Sequence, residues 1–217
     1  MGYNRSLQNK KILITCGPTW VRIDPVRVIS NISSGELAHK IAELLYRERS
    51  TVTLLEGPVT HQLKHIPIKI IPFQYFGEFE RLLKQHLKTT HYDIVIHAAA
   101  VSDYEIKNSS LKKIKSTLPR LALKLTKTPK LISQIKKISP AIFLVGFKLE
   151  TNLGKTALRQ RTTHLIGEAK CDLVVANTIN KNNYNAYIVD AKGAFLAQTK
   201  SRKEIAKALV KVLKEKL

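Results

Sequence analysis

Acidic residues are scarce in this 217-residue chain, which carries 16 Asp and Glu against 37 Lys and Arg, a net charge of +21. From Ile106 to Leu149 there is no Asp or Glu at all, while Lys107, Lys112, Lys113, Lys115, Arg120 and Lys124 fall there with further lysines behind them. A like-charged block of this kind is costly unless it meets an anion or splays into water. The balance points to nucleotide phosphates, nucleic acid or an anionic surface. Cysteine is almost absent too. Cys16 and Cys171 are the two, with no CxxC and no metal spacing, which excludes a disulfide framework or a zinc ribbon. They read as buried, reduced thiols of a cytoplasmic protein, with Cys16 close enough to the candidate site for modest reactivity. No apolar run approaches the about 18 residues of a membrane helix, and the N-terminal stretch lacks the apolar core of a secretory signal.

Three nucleotide-binding signatures are also missing. After the first apolar run stands Cys16-Gly17-Pro18-Thr19, not G-x-G-x-x-G, and no G-x-x-x-x-G-K-[ST] loop occurs. None of the seven tyrosines has a lysine four residues on. These absences argue against a nicotinamide dehydrogenase and against a P-loop enzyme.

What the sequence does hold is an alternation of strands and helices. Lys11 to Cys16, Thr51 to Leu55, Asp93 to Ala100, Ala141 to Phe147 and Leu173 to Asn177 are short apolar runs of the kind buried in parallel sheets. Ile66 to Phe73 has prolines at its margins and reads as an edge strand. Leu37, Ile41, Leu44 and Leu45 repeat with helical spacing, as do Phe79, Leu82 and Leu83, and Ile205, Ala208, Leu209, Val212 and Leu213. Residues 154–169 read as a further helix, Pro129 as the opening of one, and Leu121 to Leu125 as a strand. Tyr187 to Asp190 and Ala194 to Ala197 pair across Lys192-Gly193. The fold class expected is α/β, a Rossmann-like three-layer fold with a mostly parallel sheet, in one domain over residues 1–217. Residues 1–10 read as a flexible lead and 106–120 as a mobile basic flap.

The densest polar stretch runs from Asp24 to Glu36. Asp24-Pro25 holds the chain extended in what reads as a loop. Arg27 offers a planar fork for a carboxylate or phosphate, and Asn31 an amide that donates and accepts. Ser33 and Glu36 have capping-box spacing. The helix start at Ser33, Ser34 and Gly35 therefore reads as a phosphate-favouring loop. Val101-Ser102-Asp103-Tyr104 follows the Asp93 to Ala100 strand, where ligands sit in open parallel sheets.

Taken in order, Gly17-Pro18-Thr19, Asp24-Pro25-Val26-Arg27, Ile29-Ser30-Asn31, Ser33-Ser34-Gly35, Ala98 to Tyr104, Lys113-Ile114-Lys115, Thr128-Pro129-Lys130, Gly146-Phe147 and Asp172 to Asn177 resemble phosphopantothenate–cysteine ligase. The resemblance covers about residues 11 to 190. It implies a CTP-dependent ligation of 4′-phosphopantothenate and cysteine through an acyl-cytidylate, with Mg²⁺, in coenzyme A biosynthesis. It implies Asn31 as the residue that holds the acyl-cytidylate, with Arg27 shaping the substrate site beside it. Lys113 is implied as the lysine on the nucleotide phosphates. His97, Ala98, Ala99 and Asp103 are implied as the strand end against the nucleotide, and Pro129, Lys130, Leu131, Ile132 and Phe147 as its pocket. It also implies a homodimer and a separate decarboxylase, since the chain starts at the ligase strand. Metal ligands are left unassigned.

Two departures bear on the nucleotide. The family often carries a second lysine pair before the Asp172 to Asn177 strand, and here that segment reads His164 to Lys170 without one. Arg159, Arg161 or Lys170 are the replacements, which leaves CTP against ATP open. Ser116 stands where a lysine is common. The competing reading is a basic nucleic-acid-binding α/β protein without catalysis. The 6% aromatic content and the lack of aromatics interleaved in the basic block weigh against that reading.

Overall fold

The computed structural model describes residues 6–61, 63, 66–117, 119–180 and 183–217. In chain order the elements are β1 (Lys11–Cys16), β2 (Trp20–Asp24), β3 (Arg27–Ser30), α1 (Glu36–Arg47), β4 (Thr51–Glu56), β5 (Lys69–Pro72), α2 (Phe76–Thr89), β6 (Ile94–His97), β7 (Tyr104–Glu105), β8 (Thr126–Lys127), α3 (Ile132–Ile138), β9 (Phe143–Thr151), α4 (Lys155–Ala169), β10 (Leu173–Asn180), β11 (Asn183–Asp190), β12 (Phe195–Thr199) and α5 (Arg202–Lys216).

Eight strands form one sheet in the order β12-β11-β10-β9-β6-β1-β4-β5. From β10 to β5 every pairing is parallel, and β11 and β12 are antiparallel additions at one edge. The expected hairpin around Lys192-Gly193 is that edge, and β5, with Pro72, is the other. Apolar helix faces cover both sides. Ile41, Leu45, Leu209 and Leu213 of α1 and α5 pack on one face. Phe79 and Leu83 of α2, Ile135 of α3, and Leu158 and Ile166 of α4 pack on the other. This is the three-layer α/β architecture that the alternating pattern predicts. Strand order reverses at β1, whose neighbours are β4 and β6, so the sheet has a topological switch point at the carboxyl ends of β1 and β6.

Several expectations are corrected. The stretch from Asp24 is not an open loop. It turns tightly within an antiparallel hairpin, β2 with β3, in which Val21 faces Ile29 and Arg22 faces Val28. The Asp24 carboxylate accepts the Val26 N–H at 2.9 Å, an Asx turn that reverses the chain at Pro25. The Ser33–Glu36 capping box does not form. Gly35 intervenes in the left-handed conformation (φ 78°) as the N-cap of α1, and Glu36 instead pairs with Lys40 and Arg202. Leu121 to Leu125 is not a strand: these leucines are exposed, and pairing is confined to β7 with β8. Pro129 stands before α3, which opens at Ile132 after Leu131. The lead is fastened well before residue 10. Leu7 is fully buried, and the Ser50 hydroxyl donates to its carbonyl at 2.8 Å. Residues 1–5 lie outside the described residues. No helix among the described residues is long and apolar enough to cross a membrane.

Candidate active site

A cavity of about 1190 Å³ opens at the switch point. Its floor is the chain leaving β1 and β6. Gly17 follows β1, and the isolated bridge between Pro18 and Ala100 carries the two strand ends onward side by side. Buried hydroxyls lock this floor. The Ser102 N–H donates to Thr19 Oγ1 at 2.8 Å, the Ser102 hydroxyl donates to the Thr19 carbonyl at 3.1 Å, and the Thr128 hydroxyl donates to the Ser102 carbonyl at 2.7 Å. Nothing in the spacing of Thr19, Ser102 and Thr128 marked them, because the three meet only once the strands are aligned.

His97 ends β6 and faces the cavity while stacked on Phe79 with ring centroids 5.9 Å apart. Burial lowers its pKa to about 4, so the ring is neutral at physiological pH. Thr15 Oγ1 accepts the Ala99 N–H at 3.1 Å and lies 3.2 Å from His97 Nδ1. The Thr15 hydroxyl thus ties the His97 ring to the backbone at the end of β6.

The wall opposite is the chain after the hairpin. The Asn31 amide nitrogen donates to the carbonyls of Ala100 at 3.2 Å and Val101 at 3.3 Å. This fixes the amide's sense, nitrogen toward the strand end and oxygen away from it. Ser33, Ser34 and Gly35 line the cavity beside it, and the first N–H groups of α1 sit just behind them. Ser34 Oγ accepts the Glu36 N–H at 3.4 Å.

Pro129, Lys130, Leu131, Ile132 and Phe147 also line the cavity, together with Ala98, Ala99 and Asp103 of the chain leaving β6. Lys130 Nζ is 2.5 Å from Asp103 Oδ1, both exposed at the rim. Of the three basic residues weighed on or beside α4, Arg161 lines the cavity. Arg159 lies by Gly193, and Lys170 is the left-handed C-cap of α4; neither lines it. Sequence reasoning missed Tyr184 and Arg202. The Tyr184 hydroxyl donates to Asn177 Oδ1 at 2.9 Å, and the Arg202 guanidinium lies 5.2 Å over its ring while pairing with Glu36. Both come from the last third of the chain, and no motif there announces them.

Arg27 and Lys113 do not line the cavity. Arg27 Nη1 donates to Asp24 Oδ2 at 2.8 Å and to the Ile114 carbonyl at 3.1 Å, and the Ile114 N–H donates back to Asp24 Oδ2 at 3.1 Å. The Ser110 N–H also donates to the Ile23 carbonyl at 3.0 Å. The basic segment is thus stitched to the hairpin, with the exposed Lys113 beside the stitch. Desolvation raises the Asp24 pKa, but the Val26 and Ile114 N–H donors and the Arg27 charge outweigh it and hold it below the usual range.

Both thiols are buried. Burial, with the Glu56 charge, pushes the Cys16 pKa far up, so the expectation of modest reactivity fails. Burial raises Cys171 to about 12.

The family model described as DNA/pantothenate metabolism flavoprotein C-terminal domain matches residues 7–217. The "Coenzyme A biosynthesis bifunctional protein CoaBC" of Thermococcus kodakarensis is 40% identical, over 81% of this chain and 43% of its own length. The protein of the same name from Methanocaldococcus jannaschii is 29% identical, over 99% of this chain and 53% of its own. The chain spans about half the length of these curated relatives. Among solved structures, the DNA/pantothenate metabolism flavoprotein of Streptococcus pneumoniae superposes with a TM-score of 0.85 at 28% identity, over 96% of this chain and all of that one. The C-terminal domain of a CoaBC protein gives a TM-score of 0.79 at 25% identity, over 98% and 97% of the two chains.

Proposed function

Because the chain belongs to the family of DNA/pantothenate metabolism flavoprotein C-terminal domains, we propose that its cleft joins 4′-phosphopantothenate to cysteine, with CTP as the activating nucleotide. The pantothenate carboxylate attacks the α-phosphate, pyrophosphate leaves, and the cysteine amine then displaces CMP from the acyl-cytidylate. The observation that carries the reading is the clamped Asn31 amide, set between the phosphate-favouring start of α1 and the end of β6 in one cavity.

The chemistry asks for cations without traps. Two anions must meet, so positive charge has to neutralise them. Lys130, Lys148, Arg161 and Arg202 line the cavity for that task, and Lys113 closes over the phosphates from the basic segment. Asn31 releases a backbone carbonyl and donates to the oxyanion as the amine attacks. Arg27 acts on the substrate site by fastening the basic segment to the hairpin rather than by touching substrate. Neutral His97 presents its ring edge to the nucleotide without adding charge.

Mg²⁺ takes oxygen ligands, usually one or two carboxylates with phosphates and waters. Glu36, Asp103 and Glu168 line the cavity, and this donor set fits an ion brought in on a triphosphate, where it would neutralise phosphate charge. A homodimer also fits. Val26, Ile32, Leu111 and Leu121 are exposed apolar side chains on the hairpin, on the chain just after it and on the basic segment, and a second copy would cover them.

The test is pyrophosphate release with 4′-phosphopantothenate, run with CTP and with ATP, on wild type and Asn31→Ala. Wild type should release pyrophosphate faster with CTP and form the amide with cysteine. The variant should still release pyrophosphate but lose amide formation by about a hundredfold, the usual loss for one oxyanion donor. A variant that forms amide at the wild-type rate would remove Asn31 from this role. Salt-sensitive duplex binding with no pyrophosphate would favour the nucleic-acid reading instead.

A further inference from the structure

Behind the phosphate-favouring loop, away from the cavity, three unlike side chains converge. Cys16 ends β1, His39 lies in the first turns of α1, and Glu56 ends β4. The Cys16 sulfur, a ring nitrogen of His39 and a carboxylate oxygen of Glu56 all lie within 4.8 Å of one another. Cys16 and His39 are buried, at 0% and 1% exposure, while the Glu56 side chain is 21% exposed and leaves an entrance. The His61 ring lies beside that of His39, with centroids 5.5 Å apart, but its nitrogens are outside the converging group.

Hydrogen bonding within the group does not satisfy it. His39 Nε2 lies 2.5 Å from Glu56 Oε1, and the Cys16 thiol donates to the Gly35 carbonyl at 3.6 Å. His39 Nδ1 is left buried with no partner among the described residues. An ion shared with Glu56 would take Nε2, the nitrogen on the Glu56 side, and leave Nδ1 as it is, so the case for the site rests on the convergence of the three donor types.

We propose that Cys16, His39 and Glu56 form a binding site for a divalent transition-metal ion of the zinc class. The donor types make the choice. A thiolate and an imidazole select a borderline ion such as Zn²⁺ or Co²⁺ over Mg²⁺ or Ca²⁺, which demand oxygen. One thiolate and one carboxylate balance the charge of the ion, so the bound site is neutral. Coordination replaces the thiol proton, which leaves to water. Two ligands on a tetrahedral zinc stand about 3.3 Å apart, given metal–ligand bonds of about 2 Å. The Glu56 carboxylate therefore withdraws by somewhat under about 1 Å from His39, and its partial exposure permits that.

The site touches the loop above it. The His61 N–H donates to the Ser34 carbonyl at 3.2 Å, and Cys16 bonds to the Gly35 carbonyl. Binding an ion would release the Gly35 carbonyl from the Cys16 thiol, so occupancy of the site would be felt at the start of α1 without any contact to substrate.

The experiment uses chelator-treated full-length chain with no nucleotide present, so its outcome is independent of the ligase reading. Co²⁺ titration should saturate at one equivalent and give a near-ultraviolet sulfur-to-cobalt charge-transfer band, which Zn²⁺ then bleaches. Cys16→Ser should abolish that band and Glu56→Gln should weaken affinity at least tenfold. Cys171→Ser, at a buried thiol on the other face of the sheet, should change neither. Circular dichroism shows whether each variant folds; Glu56→Gln, at the exposed end of the group, keeps the test open if Cys16→Ser does not. Zn²⁺ should raise the wild-type melting temperature and not that of a folded Cys16→Ser. Absence of a stoichiometric charge-transfer band, or equal affinity in wild type and Glu56→Gln, would overturn the proposal.

Discussion

Asp24 accepts a hydrogen bond at 3.1 Å from the backbone N–H of Ile114, ninety residues further along the chain. Together with Arg27 it turns the tip of the β2–β3 hairpin into the anchor of the basic segment. Asp24→Asn should keep the Val26 turn but lose the charge that attracts Arg27 and strengthens the Ile114 bond. Limited proteolysis should then cut within 106–120 faster than in wild type, with little change in far-ultraviolet circular dichroism. The pH dependence follows from the lowered pKa. The clamp is at full strength above the ordinary carboxylate range and is lost as pH falls through the lower folded value. Protection of 106–120 should therefore hold at pH 5 and fail only on strong acidification.

His97 gives a pH effect of the same sign at higher pH. Its folded pKa of about 4 lies below the ordinary 6.5, so the unfolded chain binds the extra proton first. Stability from the neutral ring is complete above about pH 6.5 and falls away toward pH 4. Between pH 7 and 5 the loss is about 2 kcal/mol by linkage. Urea unfolding at both pH values should show that slope in wild type and a shallower one in His97→Gln.

Gly35 cannot be replaced cheaply. Its φ of 78° disfavours side chains, and a Cβ there would sit 2.6 Å from Val59 Cγ1 and 3.0 Å from Cys16 Sγ. Gly35→Ala should cost about 2 kcal/mol or more of unfolding free energy, from the backbone and from overpacking combined. A urea midpoint unchanged from wild type would contradict this.

Lys130 and Arg161 separate binding from stability. The Lys130–Asp103 pair is half-exposed on both sides, so its worth to the fold is under about 1 kcal/mol. Lys130→Ala and Arg161→Ala should leave the melting temperature nearly unchanged. Each should raise the KM for nucleotide about tenfold, the equivalent of one charge-assisted contact. Should Arg161→Ala leave that KM alone, the α4 cation does not meet the phosphates.

The sheet was legible in the sequence because its strands are short apolar runs that need no knowledge of their neighbours. Ile12 to Ile14 and Ile94 to Ile96 are buried in the structure as they read on paper. The helix faces on α1, α2 and α5 were legible for the same reason. What failed was local chemistry with a tertiary answer. Ser33 and Glu36 have the spacing of a cap, yet Gly35 turns the chain and Arg202, far along the sequence, takes the Glu36 carboxylate. Leu121, Leu123 and Leu125 alternate like a strand but pair with no strand among the described residues, and they stay exposed. Asn31 was legible as a polar residue at the right loop. Its clamp to Ala100 and Val101 was not, because that contact exists only once β6 lies beside β1.

The packing of α5 on α1 has a consequence for how the molecule is made. Helix α1 finds its cover in α5, which is synthesised after every strand of the sheet, and the Glu36 carboxylate meets Arg202 only then. Throughout synthesis, Ile41 and Leu45 remain a greasy flank awaiting Leu209 and Leu213. A nascent chain stalled before residue 202 would therefore be a client for chaperones, with its nucleotide cleft still unfinished on one side.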